Sequence, residues 1–258
     1  MTSDTRTSLL RAGEQLFAEY GVTGVSAREI VRTAGVGNAS ALQYHFGDRE
    51  GLLRAVLAEH DARVDRRRHR LLDQHVDATG LRDLVEALIL PLADELSEES
   101  GRRYLRIAAD VVNRPDYRVD PAEVDPSSSV MRWRAQIETL MAPEAIELHR
   151  RFVVLRFVSV ELGRRAAESA RPRHEVFVSQ LVDLTVALLA CPISEATRMP
   201  FLRHRSATGK HPPATKTMGS PSPEKSSRLS SIAAEEWKAS FCASAATANI
   251  ASRSAITI

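Results

Sequence analysis

Cysteine is nearly absent from this 258-residue sequence: there are two, Cys191 and Cys242, and neither sits in a CxxC. Disulfide stapling and a structural zinc site are therefore not expected. Aromatic residues make up only 5%, and runs of β-branched residues are few, which argues against an all-β fold. No apolar run approaches the ~20 residues that span a bilayer. The N-terminus, MTSDTRTSLLRAG, lacks the basic-then-apolar layout of a signal peptide. A reducing, cytoplasmic setting without membrane contact is expected. The net charge of +2 is too small for a protein that coats nucleic acid, so any DNA contact must be local. No nucleophile motif, phosphate-binding glycine loop or ordered carboxylate pair occurs. His60, His69 and His75 lack the i, i+4 spacing of a helical metal pair. No metal, no cofactor and no enzymatic activity are expected.

Lysine is missing from most of the chain. Residues 1–190 hold 26 Arg and no Lys, whereas Lys210, Lys216, Lys225 and Lys238 all fall in the last 68 residues. Charge shifts at the same point, from a net of −3 over 1–190 to +5 over 191–258. Segments of the tail such as SATGKHPPATKTMGSPSPEKSS carry too little apolar surface to offset the entropy of ordering. Residues 191–258 are expected to be a mostly disordered basic tail, with a short helix possible at 232–241. A basic arm adding weak phosphate contacts is the functional alternative.

What fills residues 1–190 is helix-forming: Ala, Leu, Arg and Glu dominate. Leu9, Leu10, Leu16, Phe17 and Tyr20 keep helical spacing, and Gly21 suits the left-handed residue that ends a helix. Ser26–Ala27–Arg28–Glu29 reads as a capping box, starting a helix to about Thr33 that Gly35 breaks. A third helix is predicted over Asn38–Tyr44, and Asp48 can cap a long fourth one. Further helices are predicted at about 81–97, with Pro91 kinking it or shifting its boundary, and at 101–113, 127–141, 144–170 and 174–190. Arg63, Arg66, Arg67, Arg68 and Arg70 read as a solvated face paired with Asp61, Asp65 and Asp73. The fold class is all-α. Residues 1–48 are expected to form a three-helix helix-turn-helix domain, 49–190 a larger helical domain, and 191–258 the tail.

The short capped helix, the Ala34–Gly35–Val36 turn and a second short helix with a polar outer face form the layout of a helix-turn-helix. Ile30, Val36, Leu42, Phe46, Leu16 and Phe17 are assigned to its small core. The run VSAREIVRTAGVGNASALQYHFGDREGLLRAVL resembles the DNA-binding head of TetR-family regulators over roughly residues 8–57. The matching positions are Ser26, Ile30–Val31, Ala34–Gly35–Val36, Tyr44–His45–Phe46 and Arg49. Three features depart from the familiar pattern: one extra residue between Val36 and Tyr44, Gln43 where a Tyr is frequent, and Arg49 in place of Lys.

Phosphate contacts hold register while base contacts read sequence. Ser26, Arg28, Tyr44, His45 and Arg49 are the candidate phosphate contacts, and Asn38, Ser40 and Gln43 the candidate base readers. The resemblance implies that residues from about 50 to 190 bind a small molecule and dimerise. Tyr104, Asp110, Met131, Trp133 and Arg156 are pocket candidates. Phe152, Leu155, Val158, Leu162, Phe177, Leu181, Leu184 and Leu188 recur at helical spacing, and the pair of helices holding them could form a four-helix interface with a symmetry mate. The expected function is a dimeric transcriptional repressor on a palindromic site in double-stranded DNA, released by a small-molecule effector. The alternative is a small-molecule sensor or interaction module that has lost specific DNA reading.

Overall fold

Apolar residues recur on one face of each segment, and each such segment is a helix in the computed structural model, which describes residues 2–38, 40–74, 80–114, 125–169 and 172–199. The elements are α1 (Thr2–Tyr20), α2 (Ala27–Thr33), α3 (Ala41–Phe46), α4 (Arg49–Gln74), α5 (Leu81–Ala93), a 3-10 turn η1 (Asp94–Ser97), α6 (Glu99–Asn113), α7 (Ser129–Leu140), α8 (Pro143–Glu147), α9 (Arg150–Ala167) and α10 (His174–Ala190). No strand occurs among the described residues. One contiguous apolar cluster runs from Leu9 in α1 to Leu189 in α10. Within the head, Phe17, Ile30 and Leu42 are buried, while Leu16, Val36 and Phe46 pack against them partly covered. The 26-residue α4 is about 39 Å long at 1.5 Å per residue, and it carries the chain from the head into the larger bundle.

Several boundaries differ from the sequence expectation, each for a local reason. The expected helix at 81–97 ends as an α-helix at Ala93 and tightens into η1. Pro91 lies one turn from that end and lacks an N–H, so the ladder loses a rung there. The single helix expected at 144–170 is two, α8 and α9, separated by His149 in the left-handed conformation at φ 56°. The break lets Arg151 turn back, with its Nη1 donating to the Ile146 carbonyl at 3.2 Å and its Nε lying 3.1 Å from Glu138. Gly163 permits close packing of α9 on α6, since a Cβ there would lie 2.5 Å from the Ala109 Cβ.

The arginine run of α4 is not a uniform solvated face. Arg63 bonds Glu95, and Arg67 pairs with Asp94 at 3.4 Å. Arg68 is only 1% exposed, because the spacing Val64, Arg68, Leu72 places it in the buried stripe. Its expected partners are occupied elsewhere: Asp61 accepts from Tyr104, Asp65 from the Ser129 amide, and Asp73 from Arg132. Residues 195–199 add a helical turn capped by Ser194, whose hydroxyl accepts from the Thr197 amide at 3.3 Å. The rest of the 191–258 tail, including the helix expected at 232–241, lies outside the described residues.

Candidate nucleic-acid interface

The first helix of the reading pair is set by its own sequence. The Ser26 hydroxyl accepts the Glu29 amide at 3.2 Å, and the Glu29 carboxylate accepts the Ser26 amide at 2.8 Å. These two bonds satisfy two otherwise orphaned donors at the start of α2. The hydrogen bonds from the Ser26 side chain and backbone hold the Glu29 carboxyl below the usual carboxylate range. After Thr33 the chain reverses through Gly35 at φ 65°, with no atom within 4 Å of the place a Cβ would occupy. Only the backbone conformation therefore calls for glycine there.

The second helix, α3, has six residues, about 9 Å of axis, short enough to lie within a major groove about 12 Å wide. Ala41 and Leu42 face inward and are buried. Ser40, Gln43 and Tyr44 share the outer side at i, i+3, i+4 spacing, and Tyr44 is 80% exposed. Asn38 organises the approach: its Oδ1 accepts from the Ser40 amide at 3.0 Å and from the Ser40 hydroxyl at 2.7 Å. Asn38, Tyr44 and His45 also line one groove with Asp4, Thr5 and Ser8 of α1. Ser26 and Arg28 are exposed at the start of α2. The structure thus brings seven of the eight candidate DNA contacts onto the two short helices and their connections.

Arg49 sits differently. Its Nη1 donates to the carbonyls of Val22 and Val25, the latter at 3.3 Å, and its Nη2 pairs with Glu50 at 2.6 Å. It clamps the start of α4 to the loop between α1 and α2, across 27 residues of sequence. Arg6, absent from the sequence reading, stacks over the Phe46 ring at 5.2 Å. The two residues lie on different helices, α1 and α3, so no local sequence pattern announces the contact.

The head is tied to the larger bundle through α6. The Val22 amide donates to Asp110 Oδ2 at 2.7 Å. Arg103 reaches Glu14 at 3.5 Å, and Arg114 lies 3.9 Å from Glu50. Asp110, a pocket candidate by sequence, is placed at this junction. The other pocket candidates are scattered. Tyr104 is buried with its hydroxyl on Asp61 at 2.8 Å, Trp133 is buried with its Nε1 donating to the Leu84 carbonyl at 2.8 Å, Met131 is half-buried and Arg156 is exposed. Of the interface candidates, Leu155, Val158, Leu162 and Leu181 are buried in the chain's own core, Phe152 and Phe177 are half-buried, and Leu184 and Leu188 face outward. No helix among the described residues is long and apolar enough to cross a membrane.

A capped helix, a glycine turn and a short outward-facing polar helix, braced by α1 and α4, define a helix-turn-helix DNA-binding protein. Residues 9–56 match the family model of the bacterial regulatory proteins of the tetR family. The match lies wholly in the head, across the capped helix, the glycine turn and α3. Among curated proteins none matches the chain in sequence. Similar solved structures include a TetR-family protein from Rhodococcus sp., at 19% identity over 73% of this chain and 100% of that one, with a TM-score of 0.40. NalD of Pseudomonas aeruginosa, the secondary repressor of the MexAB-OprM multidrug efflux pump, is 20% identical over 75% of this chain and 100% of its own, with a TM-score of 0.46. A TetR-family protein from Mesorhizobium loti is 15% identical over 74% of this chain and 97% of that one, with a TM-score of 0.42.

Proposed function

We propose that the chain is a homodimeric repressor whose two heads bind a palindromic operator and leave it when a small molecule occupies the helical domain. In this reading residues 1–48 bind DNA and 49–190 sense and dimerise. Ser26, Arg28, Tyr44 and His45 hold phosphates, Asn38, Ser40 and Gln43 meet base edges, and Arg49 fixes the head from which they project. The observation that carries the regulatory part is the bond from the Val22 amide to Asp110. It attaches the loop in front of α2 directly to α6, so a shift of α6 is felt at the reading pair. An effector that binds one position of α6 better than the other then shifts the population of head arrangements.

Dimerisation is supported by an apolar surface that the described residues leave uncovered. Val153 and Val160 on α9 are 54% and 38% exposed, and Leu184 and Leu188 on α10 are 46% and 38% exposed. Each pair lies on one face of its helix by spacing. Two such faces, related by a two-fold axis, make an isologous four-helix contact. The test is the double variant Leu184→Glu, Leu188→Glu, examined by sedimentation velocity and operator titration. The expected result is a folded monomer with about a hundredfold weaker operator binding, because the second head no longer binds at high effective concentration. A double variant that stays dimeric contradicts the proposed interface.

A further inference from the structure

The most unusual side chain in the bundle is Arg68. The residue is 1% exposed, yet among the described residues only one of its three nitrogens has a partner: Nη1 donates to the Ser129 hydroxyl at 3.2 Å. Nε and Nη2 find no hydrogen-bond partner among those residues. Burial pushes the guanidinium pKa down, while the nearby Tyr104, Asp65 and Asp61 act against that shift. Neither carboxylate is spare: Asp65 accepts the Ser129 amide at 2.7 Å and faces His69 at 3.5 Å, and Asp61 holds the Tyr104 hydroxyl. Keeping a buried cation with most of its donors unpaired is destabilising. Arginine cannot relieve that cost by losing its proton.

The unpaired atoms are not a random pair. In a guanidinium, the Nε–H and one Nη N–H run parallel along the side-on edge, the geometry that accepts both oxygens of a carboxylate at once. Here that edge is the free one, and Nη1 is anchored so that the plane of the group is fixed. Ser129, the anchoring residue, opens α7, a 12-residue helix whose first amide already donates to Asp65. Ser128, at the cap position, is 5% exposed, makes no side-chain cap bond, and its hydroxyl has no partner among the described residues. An anchored guanidinium with two unpartnered nitrogens and the unpartnered Ser128 hydroxyl therefore both stand where α4 contacts the start of α7.

We infer that Arg68, with Ser128 and Ser129, forms a buried oxyanion site that takes the carboxylate head of an organic acid, and that this acid is the effector. The effector part rests on the repressor reading above; the site itself does not. A ligand carboxylate completes the fork, replaces the unpaired charge with an ion pair and ties α4 to the start of α7. A neutral amide of the same shape offers a single acceptor oxygen and places N–H donors against N–H donors.

The full-length protein is titrated by calorimetry and thermal melting with acetate, hexanoate and benzoate, each against acetamide, hexanamide and benzamide. At least one carboxylate is expected to bind tenfold or more tightly than its amide and to raise the melting temperature. Arg68→Met should reduce that preference to less than twofold. It should also melt above the wild type without ligand, since it removes an unpaired buried charge. Arg68→Lys keeps the charge but loses the fork, and should bind the carboxylate at least tenfold more weakly if the methionine variant fails to fold. Equal binding of acid and amide, no binding of any acid, or a preference that survives in both variants overturns the site. Adding the bound acid to the protein–operator complex separates the two readings. Binding through Arg68 without release leaves the site standing and removes the repressor mechanism. Release by a neutral compound that is indifferent to Arg68 keeps the mechanism and refutes the acid.

Discussion

Replacing Asp110 tests the junction between head and bundle. The Asp110 carboxylate accepts the Val22 amide at 2.7 Å, and Val22 is fully buried. Asp110→Ala removes the acceptor and leaves a buried donor without a partner. Hydrogen bonds to charged groups contribute about 1.5–3 kcal/mol, and an unsatisfied buried donor costs about 1–3 kcal/mol, two descriptions of overlapping losses. A destabilisation of about 2–3 kcal/mol is expected. Asp110→Asn keeps an acceptor oxygen and loses only the charge, so about 1 kcal/mol is expected. Urea unfolding at one fixed protein concentration reads both values, the concentration being held because assembly adds to apparent stability. Hydrogen exchange at the Val22 amide localises the effect. Where exchange follows local opening, about 2 kcal/mol corresponds to roughly thirtyfold faster exchange. If Asp110→Ala changes stability by less than about 0.5 kcal/mol, or if the asparagine and alanine variants lose equal amounts, this bond does not attach α6 to the head and the coupling argument fails.

Two further predictions concern the reading pair itself. Gly35→Ala introduces a Cβ into open space but forces a left-handed conformation at φ 65°, so a loss of about 1 kcal/mol is expected and a neutral result by thermal unfolding would show that the turn readily adopts another conformation. Ser26→Ala removes the bonds that hold the Glu29 carboxyl below its ordinary value. A depressed carboxylate contributes stability above its unfolded value of about 4.3 and loses it as pH falls through the lower folded value, so the variant should be more destabilised at pH 7 than at pH 2. An equal loss at both values would show that Glu29 plays no part in the cap.

The readable parts of this sequence were the local ones. Ser26 and Glu29 are three residues apart, Gly35 marks its own turn, and both devices stand where their spacing placed them. Arg49 was visible as a cation near DNA, but its carbonyl partners lie 24 and 27 residues away, and no local pattern announces such a reach. The break at His149 carries neither glycine nor proline, so the apolar period ran through it unmarked. Arg68 was hidden differently. Its spacing from Val64 and Leu72 put it on the buried face, but the surrounding run of arginines suggested a solvated surface. The helical period was the better guide there, because a long side chain follows the direction of its Cα–Cβ bond whatever its charge. The apolar seam on α9 and α10 was legible as a pair of helices, but the period alone did not separate the inward Leu155, Leu162 and Leu181 from the outward Leu184 and Leu188. That division depends on how α9 packs against α6 and how α10 packs against α5 and α9.

The central claim is that the head of this chain reads DNA sequence through α3. Selection from a random DNA pool at ~150 mM salt, where non-specific binding is suppressed, tests it directly. The predicted result is an enriched palindrome with half-sites about one helical turn apart, whose preferred bases change in Gln43→Ala. A pool that shows no enrichment over non-specific DNA, with a protein that is folded and dimeric, would contradict the account.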